Sequence, residues 1–322
     1  MDRSVKAVHL SGLYLPASQR ILSEVVMPDI RTPRPADSSV PEASLRALIL
    51  SKKNDPHARL WAQAELAEFW RVAGDYRRAS LMLRLTLGTA ETLYGRNSPE
   101  VARLCNQSGV VGKYTGDFIY AERVYHRALT ILHRVYGPQH DAVATVYHNL
   151  GGLEHSRGHP ETGEPWSALS VEIRQSLHGP DHPLVAADIA AWAPLLAGCG
   201  RLDEAEMQLR RALKIFEAAG DDYERAVTLH NLAALEQRRG AVREALADNV
   251  QALTIKLRLL GGGHPEIAMT LVNLGGLLYR TFDEPDRARR YLKHAVHILV
   301  PQVGPDHPTL LKARRTLDSL PC

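Results

Sequence analysis

From Leu202 to Phe216, Leu202, Ala205, Leu209, Ala212, Leu213 and Phe216 recur at steps of about one helical turn or less, with charged residues between them. Steps of three and four place them on one stripe of an α-helix. Before that stripe comes VAADIAAWAPLLAG, a first helix, and the pair Cys199-Gly200 separates the two. The signals at the helix ends agree. Ser98-Pro99 offers a capping hydroxyl followed by proline at the first helical position. His182-Pro183, His264-Pro265 and His307-Pro308 repeat the proline at that place. Glycines such as Gly200 suit the left-handed residue that closes a helix.

The same two-helix pattern recurs along the chain. One glycine series runs Gly95, Gly137, Gly179, Gly220, Gly261, Gly304, in steps of 41 to 43 residues. A second runs Gly74, Gly116, Gly158, Gly200, Gly240, with Phe282 in the sixth place, in steps of 40 to 42. Two series with one period predict six helical hairpins of about 42 residues between Pro56 and Gly304. Small residues mark the helix crossings: Ala67, Gly109, Gly151, Ala193, Ala233 and Gly275 in the first helix. Ala79, Ala121, Gly163, Ala205, Ala245 and Ala288 do the same in the second, where larger side chains would hold the pair apart.

The repeat layout resembles the tetratricopeptide repeat. His148-Asn149-Leu150-Gly151 followed by Gly158, and Ala121, Tyr125 and Ala128 in a second helix, match that family's pattern. The period exceeds the family's usual length by roughly two helical turns, one per helix, as in the longer repeats of kinesin light chains. The resemblance implies an all-α, right-handed α-solenoid acting as a protein–protein interaction scaffold or adaptor. Glu42–Lys53 reads as an amphipathic capping helix (42–55), residues 305–322 as the opposite cap, and the proline-rich 1–41 as a loose arm with a short helix near Gln19–Val26. Two places break the pattern. Pro160, Gly163 and Pro165 should delay or bend one helix, and Pro194 should kink another.

Aligning the hairpins puts Gln107, Asn149, Asn231 and Asn273 at one position of the first helix. Side-chain amides donate and accept together and suit an extended peptide backbone; the resemblance gives Asn149, Asn231 and Asn273 that role, the alternative being a polar residue that meets only water. His148 and His230 stand one position earlier, and His155 lies near the end of the same helix as His148. Arg71, Lys113, Arg238 and Arg280 stand near the ends of the other first helices. They would pair with acidic groups of a peptide or protein partner, or merely complement the helix dipole.

Charge and motifs narrow the chemistry. With 39 basic and 36 acidic residues the chain lacks the basic field of a nucleic-acid coat. No apolar run reaches the roughly 18 residues of a membrane span. Cys105, Cys199 and Cys322 form no disulfide framework, which fits a reducing cytoplasm. HExxH, GxSxG and P-loop patterns are absent, so neither catalytic residue, metal nor cofactor is expected. A rival reading is a small-molecule sensor or enzyme, with its site at the disturbed zone of hairpins three and four, around His148, His155, Trp166, Trp192 and Pro194.

Overall fold

The computed structural model describes Met27 and residues 42–321. The arm 1–41 with its expected short helix, and Cys322, lie outside the described residues apart from Met27, which packs against the core of the last two hairpins. The described residues form helices and no strands. A capping helix α1 (Glu42–Ser51) precedes α2 (Pro56–Val72), α3 (Tyr76–Tyr94), α4 (Pro99–Thr115), α5 (Phe118–Tyr136), α6 (Asp141–Arg157) and α7 (Pro160–His178). Then follow α8 (Pro183–Gly198), α9 (Leu202–Ala219), α10 (Asp222–Arg239), α11 (Val242–Leu260), α12 (Pro265–Phe282), α13 (Pro285–Leu299) and the closing α14 (Pro308–Asp318). Six hairpins, α2/α3 through α12/α13, make an α-solenoid.

The first helices begin on side-chain caps. Asp55 and Ser98 accept from backbone N–H groups in the first turn, and His140, His182, His264 and His307 do so through Nδ1. Even-numbered neighbours touch across hairpins, α4 with α6, α6 with α8, α8 with α10 and α10 with α12. The odd-numbered helices make no comparable contact, so the stack curves toward its first helices, which become the inner wall.

The curvature brings the ends together. His264 Nε2 donates to the Val72 carbonyl at 3.0 Å, across 192 residues. Gly304 N donates to Thr115 O at 3.0 Å, and His307 packs on Gly116 and Phe118. Each contact joins the turn of one hairpin to the start of a first helix four to five repeats later, so successive windings touch along a seam. Gly74 (φ +80°) has to be glycine twice over: its backbone is left-handed, and Pro265 occupies the space where a Cβ would stand.

The expected late start needs correction. Helix α7 is not delayed; it starts at Pro160 and runs through Pro165 to His178. Pro165 lies near the helix start, where its missing N–H releases only the carbonyl of exposed Glu161. Helix α8 continues through Pro194. The Ala190 carbonyl that Pro194 leaves unbonded instead accepts the Asn231 side-chain N–H at 3.0 Å.

Candidate functional site

The inner wall is built from the positions singled out by the repeat alignment, but several of its amides bond to neighbouring repeats. Asn149 is buried and donates to Asn106 Oδ1 at 2.9 Å. Asn231 serves Ala190, as above. Asn273 Nδ2 meets His230 Nε2 at 3.3 Å, and Lys312 Nζ donates to Asn273 Oδ1 at 2.9 Å. These bonds form a ladder between adjacent first helices. Gln107, in the same register, keeps a buried Oε1 without a hydrogen-bond partner among the described residues.

The histidines differ by surroundings. His230 is buried, with Nδ1 3.3 Å from Thr270 Oγ1, and burial holds its imidazole well below the usual range, so it is neutral. Its Nε2 then accepts from Asn273 and its Nδ1–H donates to Thr270. His148 Nδ1 lies 2.7 Å from Oδ1 of fully buried Asp188. The same oxygen takes Arg174 Nη1 at 3.0 Å, while Arg174 Nη2 donates to Thr145 at 2.6 Å. His155 is open to the hollow, where surrounding protein and the neighbouring Lys113 lower its pKa.

Arg71, Lys113 and His155 converge near the seam. Arg71 is bonded to Glu68 through two nitrogens. Lys113 makes no hydrogen bond or ion pair among the described residues; its Nζ lies beside Gly152, and enclosure pushes its pKa down. Opposite, across the seam, stand Tyr223, whose hydroxyl donates to Glu266 at 2.7 Å, and Glu224, whose carboxyl burial pushes up. Lys113 and Arg71 feel Glu266 and Tyr223 respectively. Tyr114 stacks on Tyr76 at 4.8 Å, and Lys256, nearly buried on α11, faces Glu224 and Glu266 with its pKa lowered by burial. The hollow thus has bases at the ends of the early first helices and acids at the starts of the late ones.

Arg238 and Arg280 do not join this group. Both are exposed, and Arg280 folds back over Gly276 of its own helix. Tyr223, Glu224, Lys256 and Glu266 escaped the sequence reading because they approach Lys113 only through the seam; Tyr114, its neighbour on the same helix, holds its ring centre 5.1 Å from Lys113 Nζ. The basic row on one side and Glu224 and Glu266 on the other are visible in the sequence; their juxtaposition is not.

In the zone of hairpins three and four, Trp192 Nε1 donates to Glu164 at 3.2 Å, Arg201 bonds the same carboxylate at 2.8 Å, and Pro160 packs on Gly198. Trp166 stacks on Tyr147 at 5.5 Å. A cavity of about 580 Å³ lies among hairpins one to three. Cys105 is buried and its thiol pushed up to about 11, far from a thiolate nucleophile. No helix among the described residues is long and apolar enough to cross a membrane.

A tetratricopeptide repeat model matches residues 106–162, 186–257 and 224–299, and a second model of that description matches 143–184. The chain is similar to a clustered mitochondria protein homolog of Aspergillus clavatus, 24% identical over 151 residues, or 47% of this chain and 12% of that protein. It therefore spans about an eighth of that relative's length. Among solved structures, a Rap protein complexed with competence and sporulation factor superposes with a TM-score of 0.60 at 11% identity, covering 86% of this chain and 80% of that one. The repeats of a putative kinesin light chain from Podosopora anserina match with a TM-score of 0.45 at 19% identity, over 62% of this chain and 96% of that one.

Proposed function

Because the chain belongs to the tetratricopeptide repeat family, whose helical pairs build interaction scaffolds, we propose that its inner wall holds a protein or peptide segment without catalysis, in assembly or regulation. The observation that carries this reading is Lys113. It is a cation enclosed by the hollow, beside His155 and near Arg71, with no carboxylate bonded to it among the described residues. An acidic side chain of a partner would supply the missing charge-assisted bond. Tyr114 and Tyr223 would flank it, and Glu224 and Glu266 on the facing side would favour one direction of the segment over the other. The factor bound by the Rap protein of the same fold supports a held partner here.

The test needs no known partner. Peptides are selected from a random display library on the full chain, and the recovered sequences are titrated by fluorescence anisotropy. Enrichment in Asp and Glu is expected, with affinity falling as salt rises. Lys113→Gln should weaken binding roughly tenfold, whereas Gln at exposed Arg77 should leave it unchanged. Recovered peptides that bind Lys113→Gln as tightly as the parent chain would overturn the assignment.

A further inference from the structure

The repeat register explains why the 580 Å³ cavity exists. Leu132, Arg174, Phe216 and Lys256 are equivalent, each eleven residues after the small residue at which the second helix crosses the first. Long side chains at that place fill the later gaps between first helices. Leu132, with Ala142 across from it, leaves the gap between α4 and α6 open. The gap opens to the surface, where Arg103 and Tyr136 are exposed.

The lining is not merely apolar. Trp61, Tyr94 and Tyr136 present rings, Tyr136 stacked on His140 at 4.3 Å. Arg103 lies over the Trp61 ring, its guanidinium 4.7 Å from the ring centre, and bonds no carboxylate among the described residues. Asn106 Oδ1 accepts from Asn149, which leaves the Asn106 N–H₂ group as a donor on the cavity wall. Trp61 Nε1 donates to the Tyr94 hydroxyl at 3.2 Å, so that hydroxyl proton is itself available. Glu100, one turn before Arg103, is the single carboxylate in the lining. Aromatic walls, unneutralised donors and one acceptor describe a ligand by its chemistry.

We propose that this cavity binds an aromatic carboxylate whose ring carries an N–H or O–H donor. The ring lies among Trp61, Tyr94 and Tyr136, the carboxylate meets Arg103 and the Asn106 amide, and the ring donor meets Glu100. The chemistry has two sources, a free aromatic acid or the C-terminal aromatic residue of a partner chain. The site is independent of the Lys113 reading.

Isothermal titration of the full chain tests it with indole-3-acetate, 3-methylindole, naphthalene-1-acetate and the peptide acetyl-Ala-Ala-Trp with a free carboxylate. Indole-3-acetate or the peptide is expected to bind at one site, and the tighter of the two identifies the source. Loss of the carboxylate in 3-methylindole, or Arg103→Gln, should weaken binding roughly tenfold or more; naphthalene-1-acetate, without the N–H, should weaken it less. Leu132→Arg, which copies Arg174, should abolish binding. Ala142→Leu, which copies Leu184 at the equivalent place, fills the cavity from the other side and covers the case in which Leu132→Arg fails to fold. Lys113→Gln should leave these titrations unchanged, which separates this site from the hollow. No saturable heat from either acid at millimolar concentration, or unchanged affinity in a folded filling variant, would overturn the proposal.

Discussion

The gap between α4 and α6 and the gap between α6 and α8 share one frame and hold opposite contents. In the second, Arg174 reaches inward to Asp188, which is fully buried and also bonded to His148. In the first, Leu132 stands in place of Arg174 and Val146 in place of Asp188, and a cavity remains. Helix α6 borders both and contributes Thr145 to each, as an acceptor on one side and as lining on the other. The repeated backbone therefore does not decide what a gap does. One pair of side chains in register decides whether it is a locked ion pair or an open receptor. A second contrast runs along the hairpin turns. Glu154 and Glu236 are equivalent, yet Glu154 is bonded by Arg157 and His159, while Glu236 keeps one buried oxygen without a partner and has Arg210 only at 3.8 Å.

The largest expected effect breaks the filled gap. Asp188→Ala leaves the buried Arg174 guanidinium with only the half-exposed Asp141, 3.8 Å away, as a charge partner, and should cost about 3 kcal/mol. At the equivalent place in the open gap, Val146→Ala should cost about 1 kcal/mol, since the wall is already relieved on one side. Urea denaturation measures both. Converting the pair to the residues of the open gap, Arg174→Leu with Asp188→Val, should restore most of the loss. Equal costs for the two alanine variants would mean that the ion pair does not organise its gap.

Next comes the seam. Gly74 and Gly158 share a left-handed backbone, φ +80° and +79°, but Gly158 faces open space while Gly74 faces Pro265. Alanine at Gly158 should cost about 1–2 kcal/mol from backbone strain. Alanine at Gly74 should add a further 1–3 kcal/mol, because Pro265 has to move. Small-angle scattering should show a larger radius of gyration for Gly74→Ala alone. Matching behaviour of the two would remove the seam from the solution structure.

The smallest effect sharpens the contrast between carboxyls. Burial, opposed in part by Arg210 and aided by Asp248, holds Glu236 up at about 7. Its folded pKa lies above the unfolded value, so the native chain binds the extra proton between about pH 4.5 and 7. This carboxyl therefore subtracts stability as pH rises through that window. Glu236→Gln should remove about 1–2 kcal/mol of the fall between pH 5 and 8, less than the full shift because solvent and Arg210 screen the charge. Denaturation midpoints of wild type and variant, compared at each pH, isolate this group from the histidines.

Much of the solenoid is legible in the residues. Proline starts, closing glycines and small crossing residues place every hairpin, since each acts within a few positions of itself. The inner-wall assignment of Asn149, Asn231 and Asn273 follows from the same register. What their amides do does not follow: Asn231 answers a carbonyl released by Pro194 one repeat away, and Asn149 and Asn273 reach Asn106 and His230. Arg238 and Arg280 look like members of a basic row because they lie near helix ends, but one further residue turns a helical side chain by roughly a quarter of the circle, 100°.

The sequence by itself determined the helices, their pairing and the inner face, because caps, stripes and hairpin crossings are satisfied between near neighbours. Only the tertiary structure decided that Lys113 faces Glu266, that His264 bonds Val72, and that one gap stays open while the next is filled. Small rotations between successive repeats accumulate over four to five hairpins before distant side chains meet, and no local pattern carries that sum.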